Sequence, residues 1–273
     1  MNKLLKTAAI LLAAAAIGTG CGTRSSPTTP TPTPTPSPSS TSPAPSASPS
    51  VTPTATATPS PTPAKTPAGT KTGDAIQVVA APESITALVN KQFKLPDSYA
   101  PKDLVYPEVA FIFSEKIEKR KLRQEAATAL EQLFAGAKKD NISLAGVSAY
   151  RSHATQKSLF ESYVKRDGEA KAKTYSAVPG HSEHETGLAI DVSGSSGKCA
   201  AEDCFAGTPE AKWLEAHVHE YGFIIRYPKG KESITGYQYE PWHIRFVGKQ
   251  VAKDIASRGI TMEEYYNALP VSQ

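Results

Sequence analysis

From Thr23 to about Gly73 the chain is nearly all Pro, Thr, Ser and Ala. A stretch of this kind carries too little apolar surface to offset the entropy of ordering it. Its prolines favour extended backbone, so it reads as a semi-rigid tether that could reach roughly 150 Å at about 3.1 Å per residue. Any hydrophobic core must come from the C-terminal side of this stretch, from near Ala75 to about Ala268. That length suffices for one sizeable core. The expected organisation is a leader over 1–20, a disordered linker over 21–74 and one folded domain over 75–273.

The leader has the order of an export signal. Lys3 and Lys6 precede an apolar run from Ala8 to Ile17, and the small residues Gly18, Thr19 and Gly20 come after it. The run is shorter than the about 20 residues a membrane-spanning helix needs. Cys21 comes next, an arrangement that resembles a bacterial lipoprotein signal, although Gly18 stands where Leu is more usual. Lipidation of Cys21 would anchor the domain to the membrane on its extracytoplasmic side, facing the cell wall. An ordinary cleaved signal and a secreted product is the alternative.

Charge excludes one class of partner. The net charge is +4, with both signs interspersed. No dense basic stripe with interleaved aromatics is present, so nucleic acid is not expected. A mildly basic surface suits a polyanionic surrounding such as a cell wall. Apart from Cys21, the cysteines are Cys199 and Cys204. In an exported chain they read as a short-loop disulfide, with two free thiols as the other reading. Two thiols at this spacing leave the remaining ligands of a Cys-rich metal site unsupplied.

Within the domain, the spacing of Leu122, Ala126, Leu130 and Leu133 predicts a helix over 116–138. Further helices are expected over 154–166, 169–175, 210–221, 249–257 and 262–268. Strands are expected over 142–150, 187–192, 223–227 and 237–246, with a short strand or an extended arm over 76–80. Helices and strands mix without regular alternation, which points to an α+β fold with a small central antiparallel sheet.

Three short stretches carry chemistry. His184 and Asp191 flank a strand-like Gly187-Leu188-Ala189-Ile190, and their donor types suit zinc. Alone, that pair equally fits a surface His beside a turn-capping Asp. Glu240-Pro241-Trp242-His243 adds a third ligand candidate and a carboxylate. His184, Asp191 and His243 would leave a fourth position for water, with Glu240 as general base. The alternative there is an exposed Glu and a satisfied core His. Arg151, at a predicted strand end, could stabilise an oxyanion, or could be an ordinary solvated Arg. Among the other histidines, His181 is a rival ligand. His217 and His219 point apart on a helix and cannot easily share a metal.

The stretches Ser148 to Gln156 (SAYRSHATQ), Pro179 to Ser193 (PGHSEHETGLAIDVS) and Tyr239 to His243 (YEPWH) occur in that order. Together with the lead-in Leu95 to Val105, they resemble the vancomycin-resistance-type D-alanyl-D-alanine carboxypeptidases. Those are zinc peptidases whose fold is shared with lysostaphin-type peptidases and the hedgehog signalling domain. The resemblance implies one zinc ion per chain on His184, Asp191 and His243, with Glu240 as base and Arg151 polarising the scissile carbonyl. It places Ser182, Gln156 and Tyr150 at the substrate. It implies peptidoglycan stem peptides as substrates and leans to pentapeptide over tetrapeptide stems; a monomer is the expected state. A non-catalytic wall-binding lipoprotein is the alternative of another class. Three departures from the family pattern stand out, namely Ala149 for Gly, His153 for Tyr and Glu185 for Gln.

Overall fold

The protein structure, a computed structural model, describes residues 76–268. The expected leader, Cys21 and the linker lie outside those residues.

Two short pairings come early in the chain. Strands β1 (Gln77–Val78) and β2 (Phe93–Lys94) run parallel, and β3 (Leu104–Val105) and β4 (Leu122–Arg123) run antiparallel. Helix α1 (Gln124–Lys139) leads to β5 (Leu144–Ser148), and α2 (His153–Asp167) and α3 (Glu169–Tyr175) lead to β6 (Ala189–Gly194). Then come α4 (Pro209–His217), β7 (Phe223–Tyr227), α5 (Glu232–Thr235), β8 (Glu240–Phe246), α6 (Lys249–Arg258) and α7 (Met262–Tyr265). Strands β5 to β8 form one antiparallel sheet in the order β5-β6-β8-β7. The α+β expectation is met.

Alternation along the strands divides the sheet into two faces. Ile190 and Val192 of β6, Trp242, Ile244 and Phe246 of β8, and Phe223 and Ile225 of β7 belong to the main core. That face packs with Ala126, Leu130, Leu133 and Ala137 of α1 and with Leu214 of α4. Each fully buried Leu or Ile there contributes about 1.5–3 kcal/mol relative to an exposed one. The intervening positions Asp191, His243, Arg245 and Arg226 are buried and polar. Register sets Asp191 directly beside His243; Asp191 also pairs with Ser148, and Tyr227 pairs with Glu240.

Several helix starts are written locally. Ser152 accepts the Thr155 N–H ahead of α2, and Thr208 accepts the Ala211 N–H ahead of α4, which opens on Pro209. A capping box between Thr261 and Glu264 starts α7. One boundary differs from expectation. The predicted helix over 116–138 begins only at Gln124, since Leu122 and Arg123 pair with β3 and Glu118–Arg120 form a 3-10 turn. Leu122 therefore reaches the core from a strand, and only Ala126, Leu130 and Leu133 do so from the helix. The helix expected over 210–221 also stops early, at His217, and Val218–Tyr221 continues as a 3-10 turn.

Gly187 ends the 3-10 turn Glu183–Thr186 with φ of 68°, the left-handed region where a side chain is strained. A Cβ there would also lie 2.9 Å from Leu104 Cδ2 and 3.0 Å from Arg123 Cγ. Gly259 is likewise left-handed, at φ 60°, but has open space around it. Gly187→Ala is therefore expected to destabilise the fold by about 1–3 kcal/mol, and by more than Gly259→Ala. Urea denaturation of the two variants checks this, and equal losses would show that the contacts with Leu104 and Arg123 yield freely.

Candidate active site and metal centre

The turn before β6, the strand itself and the middle of β8 bring His184, Asp191 and His243 together. All three are buried, and one ligand atom from each lies within 4.8 Å of the others. His184 Nδ1 sits 2.7 Å from the Ala149 carbonyl oxygen, which can only accept, so Nδ1 carries the proton and Nε2 bears the lone pair. That Nε2 is 3.4 Å from Asp191 Oδ2. His243 Nδ1 is 2.9 Å from Asp191 Oδ1, and its Nε2 is 3.5 Å from Glu183 Oε2. Neither of those last two atoms has a hydrogen-bond partner among the described residues.

The electrostatics of the cluster suit a cation. Burial pushes His184 down to about 3, against the pull of Asp191, so its ring stays neutral and ready to donate a lone pair. His243 shows the opposite: although burial disfavours its charge, the carboxylates of Asp191 and Glu183 beside its ring raise it to about 9. A positive charge is thus favoured at the point where the Asp191 carboxylate meets both rings. Two imidazole nitrogens and a carboxylate oxygen form a donor set that suits zinc, and the residues present fit that ion.

The three line a cavity of about 270 Å³ whose walls also include Arg151, Ser182, Glu240 and Trp242. Glu240, the first residue of β8, has its carboxyl raised to about 7. Burial is the main cause, His243 opposes it, and Asp191 and Glu183 reinforce it. Arg151 is half-buried and braced, with Nη1 donating to Gln156 Oε1 at 2.7 Å and Nη2 to Ser148 Oγ at 3.3 Å. Tyr227 stacks on the His243 ring with centroids 5.1 Å apart.

Two expected substrate residues sit elsewhere. Gln156 is fully buried and engaged at both ends, its Nε2 donating to the Ala177 carbonyl at 2.6 Å. It therefore holds Arg151 in place and does not line the cavity. Tyr150 is buried and does not line it either, and burial raises its phenol above the usual value. His181 directs Nδ1 to the Asn90 carbonyl at 2.7 Å and is not part of the ligand cluster. His217 pairs with Glu220 at 2.9 Å, and His219 lines a separate groove.

The departures noted in the sequence find explanations. His153 Nδ1 lies 2.8 Å from Glu185 Oε2, and Glu185 Oε1 accepts from the Gly180 N–H at 2.8 Å. Two departures are thus one contact, tying the start of α2 to the loop before His184. Ala149 meets His184 through its backbone carbonyl, so its side chain leaves that bond unaffected. Cys199 and Cys204 are disulfide-bonded, and their loop supplies Ala201 and Asp203 to the cavity wall.

Sequence reasoning missed Glu183, Arg226 and Arg245, all with side chains fully out of solvent. The available signal was the alternation of β7 and β8, which places both arginines on the face opposite the apolar core.

The VanY family, D-alanyl-D-alanine carboxypeptidase, matches residues 119–249. The putative carboxypeptidase YodJ of Bacillus subtilis (strain 168) is 51% identical over 196 residues, which is 72% of each chain. The solved LdcB LD-carboxypeptidase, whose structure addresses peptidoglycan recognition, is 50% identical with a TM-score of 0.69, over 73% of this chain and 93% of that one. A zinc(II) complex of a mutant vancomycin-resistance D,D-pentapeptidase VanY is 30% identical with a TM-score of 0.54, over 66% and 97% of the two chains. Similarity that spans the central sheet and nearly the full length of both solved peptidases leaves one assignment, that this chain belongs to the VanY family and is a carboxypeptidase.

Proposed function

We propose that this carboxypeptidase removes the C-terminal D-alanine from peptidoglycan stem peptides, using one zinc ion held by His184, Asp191 and His243. The observation that carries the reading is the convergence of those three donors in a cavity shared with Glu240 and Arg151. When bound, zinc supplies a Lewis acid and makes a water molecule acidic enough to attack near neutral pH. Glu240, poised by burial, accepts the proton of the attacking water and returns it to the leaving amine. Arg151, held by Gln156 and Ser148, directs its remaining donors at the oxyanion that develops on the scissile carbonyl. Ser182 contributes a hydroxyl to the same cavity. The non-catalytic wall-binding reading is not retained, since Glu240 stands in one cavity with His184, Asp191 and His243.

Stem length is a narrower question. Greater similarity to an LD-carboxypeptidase (50% identity) than to a D,D-pentapeptidase (30%) supports a tetrapeptide substrate. The family description supports the pentapeptide, the reading to which the sequence leaned. Purified enzyme is expected to remove one alanine from a tetrapeptide muropeptide, read by mass spectrometry, and a chelator is expected to stop it. Loss from pentapeptide alone would reverse the assignment, and no chelator-sensitive loss from either would overturn the function.

Glu240→Gln is expected to lower kcat roughly 10²–10⁴-fold while zinc stays bound, as metal analysis of the dialysed protein would show. The ionised carboxylate is the working form, so kcat/KM falls as pH drops. Because a bound cation draws the Glu240 pKa downward from about 7, the acid limb is expected at or below neutral pH. A Glu240→Gln enzyme of undiminished rate would remove Glu240 from the mechanism.

We also infer that the enzyme works outside the cytoplasm, anchored through Cys21, a reading supported by Lys3, Lys6 and the apolar run before Cys21. Cys21→Ser is expected to move the protein from the membrane fraction to the medium. Unchanged fractionation would exclude the anchor.

A further inference from the structure

Behind the ligand cluster lies a charged network with no solvent contact. Glu183 Oε1 accepts from Arg226 Nε at 2.8 Å and from Arg245 Nη1 at 2.6 Å. Its other oxygen, Oε2, lies 3.5 Å from His243 Nε2, and neither of these buried atoms has another partner among the described residues. Arg226 in turn grips Glu263 of α7 through both terminal nitrogens, at 2.6 and 3.0 Å. Asn90 Nδ2 donates to the same Glu263 at 3.0 Å. Arg245 Nη2 donates to the carbonyls of Ile85 and Ala87 at 3.1 and 2.8 Å. Asn90, Ile85, Ala87 and Glu263 all lie outside the family-matched residues 119–249.

An imidazole ligates through one nitrogen, and the partner of the other decides which. His243 has only two polar neighbours at its ring nitrogens among the described residues, Asp191 at Nδ1 and Glu183 at Nε2. Stacking on Tyr227 holds the ring plane but does not distinguish the two nitrogens.

We propose that Glu183 is the positioning residue for His243, accepting the Nε2 proton so that Nδ1 is the nitrogen turned to the metal. The two arginines fix the carboxylate, and through them α7 and the segment over 85–90 brace the ligand from outside residues 119–249. This rests on the reading of His243 as a zinc ligand. The competing account is that the network only stabilises the fold.

Two substitutions separate these accounts, because each removes one carboxylate charge from the network and only one faces His243. In Glu183→Gln the amide oxygen can still accept from the arginines, while the amide nitrogen now donates toward Nε2 and drives the proton to Nδ1. Zinc affinity, measured by chelator competition, is expected to weaken roughly 10–100-fold in Glu183→Gln and to change far less in Glu263→Gln. Equal losses in both, or none in Glu183→Gln, would overturn the proposal. A measurement on the unaltered chain keeps the test open if either variant fails to fold. In the zinc-loaded protein, histidine ¹⁵N spectra are expected to show His243 protonated at Nε2 and metal-bound at Nδ1, and the reverse pattern overturns the proposal. Failure of the unaltered protein to bind zinc would instead overturn the ligand set itself.

Discussion

The pairing register of β6 with β8 is the constraint on which the site depends. Asp191 stands opposite His243, and Ile190 stands opposite Ile244. Side chains alternate across a strand, so a slip of one residue would send the apolar set to the polar face and the ligands into the core. The core therefore does more than stabilise the domain. By fixing Ile190, Val192, Ile244 and Phe246 against α1 and α4, it fixes the ligand pair on the other face. Of the three ligand candidates, Asp191 and His243 stand on strands, and only His184 arrives on a turn, which Gly187 closes just before β6.

The polar face is an unusual place for so much charge. Arg226, Arg245, Glu183 and Glu263 are all removed from water. Burial of each alone would be prohibitive, and each is matched by an opposite charge at hydrogen-bond distance. Loss of one partner in such a set costs about 3–5 kcal/mol, since the other is left uncompensated. The network couples folding to the metal centre because one carboxylate, Glu183, belongs to both. The strands supply both arginines, while the flanking segments at Ile85, Ala87, Asn90 and Glu263 complete their hydrogen bonds.

Much of this was legible in the sequence, for physical reasons that differ from residue to residue. His184, Asp191, Glu240 and His243 stand in compact motifs whose spacing on short strands leaves little freedom, and the structure places them in one cavity. Strand β7 was read at its true limits because alternation and the Gly222 cap bound it. The start of α1 was misread because Leu122 fits a helical spacing and a buried strand position equally well. Gln156 and Tyr150 were placed near the substrate by resemblance, and neither side chain lines the cavity; that of Gln156 braces Arg151. Glu183 went unnoticed since its importance lies in partners 43 and 62 residues away, which no local pattern encodes. The contact of His153 with Glu185 was visible only as two separate departures until the fold joined them.

The loop from Cys199 to Cys204 closes part of the cavity with a covalent bond formed between side chains, not with packing alone. Such a bond depends on the redox conditions under which the chain matures. The shape of this wall, and with it the fit of whatever enters the cavity, is thus partly a record of where the polypeptide folded. Chains with the same amino-acid sequence, produced in reducing and in oxidising surroundings, would carry the same ligands and base behind different doors.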